Sequence, residues 1–382
     1  MQVCIVYDCL FPYTIGGAER WYRNVAEALV ADGHEVTYLT MRQWERSEEP
    51  DLAGIRVVAV APKLGLYARS GRRRLIPPVA FGLGVLGHLL RHGSRYDVVH
   101  TASFPYFSLL AAGAARPRGR YRVVVDWHEV WTRDYWRDYL GGVGGPLGWR
   151  VQRACLRVRQ RAFCFSRLHE QRLRSLGLRG QLTRLEGQYD GTLAPADQRP
   201  VRTVAVYAGR HIPEKQVPAI VPALALARET IPDLRGEIYG DGPERARVLE
   251  AIAELRLDSV VTAPGFVDSD VLEDALSTAM CLLLPSRREG YGRVVLEACA
   301  RGVPVVVVAG PDNAATELVE EGVNGTIAAS VEPRDLAAAV GRVHELGATL
   351  RLSTSEWFGR NVTRLSAGSS IARVLEAYAV RG

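Results

Sequence analysis

The stretch Pro285-Ser286-Arg287-Arg288-Glu289-Gly290-Tyr291-Gly292-Arg293-Val294-Val295-Leu296-Glu297-Ala298-Cys299-Ala300 decides how this chain reads. It follows the apolar run Met280–Leu284 and leads through a helical pattern into a second apolar run, Val303–Val308. Strand, helix and strand in that order predict a parallel sheet with a helical crossover. Glu289 falls at the exit of the first strand, and Gly290 and Gly292 let the backbone approach a ligand closely. Glu297 lies about two turns into the helix. In open α/β sheets the crevice beyond the strand ends is where ligands bind. Two carboxylates there can accept hydrogen bonds from sugar hydroxyls, while free N–H groups at the helix start meet phosphate. On a plain amphipathic helix the same two glutamates would merely be solvated. The Pro-Ser-x-x-Glu-Gly-Tyr-Gly frame favours the ligand reading.

Outward from this stretch, short β-branched runs alternate with longer helical patterns along the whole chain. In the first half the predicted strands are Val3–Tyr7, Glu35–Leu39, Arg56–Val60, Val98–His100, Arg122–Asp126 and Ala162–Phe165. In the second they are Thr203–Ala208, Gly236–Tyr239, Val260–Thr262, Met280–Leu284 and Val303–Val308. A helix is predicted from Ala18 to Ala31, with Trp21, Val25, Ala28 and Leu29 at helical spacing, stopped by Asp32-Gly33-His34. Residues 187–202, rich in Gly, Pro and polar side chains, read as a linker. The expected fold is α/β, with two Rossmann-like domains, 1–190 and 200–355, facing across a cleft. Helices over 356–382, ending in Ile371–Val380, are expected to return toward the first domain.

The 382 residues are 47% hydrophobic and 24% charged, a soluble globular composition too long for one ordinary domain. No basic leader precedes the first strand. Leu75–Leu90, the longest apolar stretch, is interrupted by Pro77, Pro78 and His88 and is too short to span a bilayer. A cytoplasmic protein is expected. Six cysteines without a C-x-x-C pair read as buried, reduced thiols. The net charge of +6 is unevenly spread. Residues 1–200 carry 29 Lys and Arg against 18 Asp and Glu, whereas 201–382 carry 19 against 24. The first half is therefore the docking side for an anionic partner: a membrane surface at the inner face, a phosphorylated lipid or an acidic glycan. Nucleic acid is not expected, since no basic run is interleaved with aromatics.

The quoted stretch resembles the Glu-x7-Glu signature of glycosyltransferase family 4, retaining enzymes of the GT-B fold that use nucleotide sugars, and the resemblance covers nearly the whole chain. Gly209-Arg210-His211-Ile212-Pro213-Glu214-Lys215 looks like the family's Gly-Arg-x4-Lys segment. The resemblance implies that Arg210 and Lys215 hold the donor's diphosphate, and a fixed guanidinium and ammonium would indeed stabilise the charge on that leaving group. The family usually has Gly after this lysine; here Gln216 stands in its place. Gly16-Gly17-Ala18-Glu19 resembles the family's Gly-Gly-x-Glu loop, which adds Gly16 and Gly17 to the donor-binding set of Arg210, Lys215, Glu289, Gly290, Tyr291, Gly292 and Glu297. Asp126-Trp127-His128-Glu129 resembles its His-Asp segment and would place His128 beside the reacting sugar, joining Arg210, Lys215 and Glu289 as the catalytic set. No cofactor and no metal is implied beyond the nucleoside-diphosphate sugar as donor substrate. The acceptor, a glycan, a lipid-linked glycan or a small molecule, stays open at this point, as do the donor base and sugar.

Other patterns are set aside or stay secondary. Asp268-Ser269-Asp270 mimics a metal-binding Asp-x-Asp but reads as an N-cap with an acidic first turn. His88 and His92 share a helix face without a third ligand. Arg72-Arg73-Arg74 reads equally as a membrane contact or a solvated loop. His100 is a fainter cleft residue, and Asn313 and Glu317 are possible donor contacts. The rival readings are a nucleotide-sugar epimerase, a phosphorylase or another non-transferase enzyme on the same scaffold, and a non-catalytic module binding sugar nucleotide or nucleic acid, since fold does not fix function.

Overall fold

The computed structural model describes residues 1–45, 47–48, 50–65, 74–191 and 200–379. Arg72 and Arg73 of the triple arginine, residues 192–199 of the expected linker, and Val380 lie outside the described residues. The described chain forms two compact units. One takes the residues up to Gln188 together with those from Ser366 onward, and the other takes Tyr189–Leu365.

The first unit is built on seven parallel strands: β1 (Gln2–Val6), β2 (Glu35–Met41), β3 (Ile55–Ala61), β4 (Val98–Ala102), β5 (Arg122–Trp127), β6 (Gln160–Cys164) and β7 (Gly180–Arg184). Their order is β3-β2-β1-β4-β5-β6-β7. The second unit carries β8 (Val204–Ala208), β9 (Arg235–Tyr239), β10 (Val261–Gly265) and β11 (Cys281–Leu284). The two-residue β12 (Arg288–Glu289) follows, then β13 (Val305–Val308), the two-residue β14 (Asp312–Asn313) and β15 (Gly325–Ala328). Six of these pair in the order β10-β9-β8-β11-β13-β15, while β12 and β14 pair with each other. Leaving out β7, each main sheet repeats the doubly wound order in which the first strand sits centrally and the chain reverses direction across the sheet. The two Rossmann-like halves expected from the sequence are present.

The central strands of the second unit, β8, β11 and β13, are apolar because helices cover both faces of a parallel sheet. Cys281–Leu284 and Val305–Val308 are buried at every position. All six cysteines are free and buried, and burial pushes the Cys281 and Cys299 thiols up to about 12, so neither is a thiolate near neutral pH. Besides the two-residue β12 and β14, the strands not anticipated, β7 and β15, both lie at sheet edges. β7, at an edge, reads Gly-Gln-Leu-Thr-Arg and has no fully buried residue. β15, Gly-Thr-Ile-Ala, is four residues long and ends the second sheet beside β13.

The helix Ala367–Ala379 packs on the first unit's helix Gly17–Ala31. Its Tyr378 hydroxyl lies 2.5 Å from His100 Nδ1 on β4, and His100 Nε2 lies 2.9 Å from Asp126 Oδ2 on β5. Trp21 Nε1 donates to the same carboxylate oxygen at 2.7 Å. His100 and Asp126 are both fully buried. His100 thus sits between the Asp126 carboxylate on one side of its ring and the Tyr378 hydroxyl on the other. Burial by itself would push the Asp126 carboxyl up; the imidazoles of His100 and His128 and the Trp21 indole outweigh it, so the net shift is down and Asp126 stays ionised. His100, read from sequence as a cleft residue, is instead a core residue that ties the Ala367–Ala379 helix to the centre of the sheet.

Among the described residues no helix is long and apolar enough to cross a membrane.

Candidate active site

The reversal point of the second unit's sheet lies between β8 and β11. The loops leaving these two strands carry Arg210 and Lys215 on one side and Glu289 on the other. The structure brings Lys215 and Glu289 together: Lys215 Nζ donates to Glu289 Oε1 at 2.5 Å. Ser286 Oγ donates to the same oxygen at 2.8 Å. Both donors converge on Oε1, which leaves Oε2 to accept from a ligand hydroxyl. The ammonium has three donors and spends one here, so it can bridge this carboxylate and an incoming phosphate.

The scaffold that fixes Glu289 is local. β12 pairs with β14, setting Glu289 opposite Asn313. Asn313 is 2% exposed; Nδ2 donates to Ser286 O at 3.0 Å and Val308 O at 2.8 Å, and Oδ1 accepts from Ala315 N at 3.1 Å. Asn313 is thus a staple holding the loop, its amide spent on backbone, rather than a donor contact. Ser286, fully buried, was not singled out from sequence. The pattern Pro-Ser-x-x-Glu was its only signal. Tyr291 is buried, Gly290 half-buried, and Gly292 caps the helix Arg293–Cys299 at φ 99°, where a Cβ would also meet the Ala315 Cβ at 2.7 Å. Glycine is required there on both counts. Glu297 is half-buried on that helix.

Arg210 is exposed at the exit of β8, its carbonyl accepting from the Tyr207 hydroxyl at 3.1 Å. Burial raises the Tyr207 phenol far above its ordinary range, and the Glu289 charge pushes the same way, so it remains a donor. Beside this loop runs Gly240-Asp241-Gly242, leaving β9, another feature that sequence reading passed over. A Cβ on Gly240 (φ 112°) would strike Gly209 O at 1.9 Å. The two strand exits are packed backbone to backbone.

Gln216 adopts φ 50°, ψ 34°, the left-handed conformation that favours glycine. The strain is relieved in a Gln216→Gly protein, which is expected to gain about 1 kcal/mol, partly offset by glycine's greater freedom when unfolded. Urea unfolding reads this directly, and a lower midpoint for the variant would refute it.

In the first unit, Gly16 is the N-cap of the helix Gly17–Ala31, with an extended backbone. A Cβ there would meet Glu19 Oε2 at 2.4 Å, so the anion nearest this helix start is the chain's own carboxylate. His128 follows β5, its ring stacked parallel on Phe165 at 4.9 Å and edge-on to Tyr22 at 6.0 Å. Glu129 accepts from Trp131 Nε1 at 2.7 Å. Asp268 occupies the N-cap position of Ser269–Thr278 without a side-chain capping bond. Burial and the charges of His92, Arg56 and Arg95 push His88 down to about 4. Among the described residues no group of three His, Cys, Asp or Glu could hold a metal ion.

The comparisons with known proteins agree across both units. The family model described as Glycosyltransferase Family 4 matches residues 15–185, and that described as Glycosyl transferases group 1 matches residues 196–356. The chain is 26% identical over 361 residues to glycogen synthase of Mycobacterium tuberculosis, covering 88% of this chain and 83% of that one. It is 31% identical over 142 residues to alpha-D-kanosaminyltransferase of Streptomyces kanamyceticus, covering 37% and 36%. Sucrose-phosphate synthase of Thermosynechococcus elongatus shares the fold at TM-score 0.80 and 20% identity, covering 99% of this chain and 98% of that chain. The Anabaena protein HepE, solved in complex with UDP-glucose, shares it at TM-score 0.71 and 18% identity, covering 99% and 100%. Matched in one half by the family 4 model and in the other by the group 1 model, the chain belongs to the family-4 type of glycosyltransferases.

Proposed function

We propose that the chain is a retaining glycosyltransferase that moves a sugar from a nucleoside-diphosphate donor to an acceptor hydroxyl without a metal ion. The observation that carries this reading is the Lys215–Glu289 pair at the reversal point of the second sheet, with both Lys215 and Ser286 on Glu289 Oε1 and, among the described residues, no bond to Oε2, and with Arg210 exposed nearby in sequence. As the anomeric C–O bond breaks, negative charge grows on the diphosphate, and Arg210 and Lys215 stabilise it. Glu289 orients sugar hydroxyls, Glu297 takes the ribose, and Gly290, Tyr291 and Gly292 shape the loop against the donor. The released phosphate oxygen takes the acceptor's proton on the same face, which retains configuration. In the first unit, His128, Gly16 and Gly17 are the residues to test by substitution. UDP-sugars are the first donors to test, because HepE was solved with UDP-glucose.

UDP is expected to raise the melting temperature in EDTA as much as in magnesium, since two fixed cations do the metal's electrostatic work. At 100 times its dissociation constant it would contribute about 2.7 kcal/mol. If EDTA abolished both the shift and turnover, the metal-free assignment would be wrong. Anomeric proton NMR of the product, compared with and without acceptor, tests retention and separates transfer from epimerisation.

A peripheral contact with anionic membrane belongs to this reading. Ile76, Val79, Leu83 and Leu90 are exposed along one helix, Ile76–His92, preceded by the three arginines at 72–74. Each arginine near an anionic surface is worth about 1 kcal/mol, so a triple Arg→Ser variant should bind phosphatidylglycerol vesicles roughly 10²-fold more weakly at low salt. Equal pelleting of both proteins would dismiss the contact.

A further inference from the structure

The first unit carries a second concavity that the transfer reaction does not use. An open depression of about 510 Å³ lies where the helices Phe107–Gly119 and Arg133–Arg157 end, beside the turn before β7. Arg116, Arg157, Arg159 and Arg179 line it together with small residues such as Gly113 and Ala154. Arg159 and Arg179 immediately precede β6 and β7. In a parallel sheet all strand starts share one edge, so the depression lies at the opposite edge from His128, which follows the end of β5.

The charge here is one-sided. Residues 110–125, 139–169 and 171–185 contain no Asp or Glu. Arg116 Nη1 reaches the Arg159 carbonyl at 3.4 Å; among the described residues no carboxylate pairs with any of the four guanidinium groups. Cations in the last turn of a helix suit its dipole, which accounts for Arg116 and Arg157. It does not account for Arg159 and Arg179, which stand outside both helices. Four like charges around one hollow repel each other, and a bound anion removes that cost. Guanidinium forks match phosphate oxygens in pairs, so four of them lining one hollow suit an anion with more than one phosphate group.

We propose that this arginine-rimmed depression is a non-catalytic binding site for a phosphate-bearing anion, separate from the donor site and independent of the role assigned to Lys215. Inorganic pyrophosphate is the probe. By titration calorimetry at low salt, Arg157→Gln/Arg179→Gln is expected to weaken one class of pyrophosphate sites about tenfold or more. The exposed Arg118→Gln/Arg120→Gln pair, which removes the same charge outside the depression, is expected to leave that class intact. Wild-type binding by the first variant, or equal loss in both, would overturn the proposal, as would a wild-type protein that binds no pyrophosphate outside the donor site. Co-sedimentation with phosphatidylcholine vesicles with and without phosphatidic acid then identifies the source. Loss of the phosphatidic-acid-dependent binding in the Arg157→Gln/Arg179→Gln protein assigns a lipid headgroup. Unchanged vesicle binding, with pyrophosphate binding lost, assigns a soluble phosphate compound.

Discussion

Lys215→Ala is expected to lower kcat about 10²–10³-fold while the protein still folds, because it removes a preorganised charge from the leaving group. The side chains of Lys215 and Glu289 are only 20% and 11% exposed, so the variant also loses some stability by leaving the Glu289 carboxylate without its cation. Glu289→Gln keeps the shape but loses the charge that holds the ammonium, and should reduce turnover less than Lys215→Ala does. Steady-state rates with the best UDP-sugar, alongside melting curves, separate the two effects. Turnover of Lys215→Ala within threefold of wild type would remove the lysine from the diphosphate.

Asp126→Ala should be the most destabilising single substitution among those named, at about 3–5 kcal/mol, because it leaves a fully buried imidazole and indole without their common partner. The sign of its pH dependence follows from the lowered carboxyl. The stabilisation is fully present above the ordinary carboxylate value, about 4, and disappears as the pH falls through the lower folded-state value. The gap between wild type and Asp126→Ala should therefore be constant from pH 5 to 7 and close only in strong acid. Tyr378→Phe, which removes one neutral donor from the same network, should cost about 1 kcal/mol. Chemical denaturation across that pH range decides, and an Asp126→Ala midpoint equal to wild type would show the network to be dispensable.

What the sequence made legible, and what it hid, follow from how local each signal is. The exits of β8 and β11 could be read because a fully apolar run ends abruptly at Gly209 and at Pro285, and those runs are apolar for a reason that acts residue by residue: both faces are covered. β7 escaped because an edge strand with half-exposed side chains needs no such run. The pairing of Lys215 with Glu289 joins residues 74 apart, yet each sits in its own recognisable segment, so both were named. His100 offered no such help. Its partner Tyr378 is 278 residues away, and nothing around Asp97-Val98-Val99-His100 distinguishes a histidine destined for the core from one at a cleft. Asn313 shows the same blindness at shorter range, since its three bonds all go to backbone, which carries no sequence signature.

The Ala367–Ala379 helix belongs to the first unit although all of Tyr189–Leu365 precedes it. During synthesis the seven-stranded sheet emerges early and then waits, with Asp126 and His100 in place but Tyr378 not yet made, while the ribosome adds the entire second unit. At about 5–20 residues per second that delay lasts on the order of ten seconds or more. Among the described residues the second unit, by contrast, is one continuous segment, Tyr189–Leu365, whose sheet can close as soon as its own strands have appeared. The first unit to begin folding is thus the last to be completed, and a nascent chain released before residue 367 would carry a finished second sheet beside a first sheet still missing its clasp.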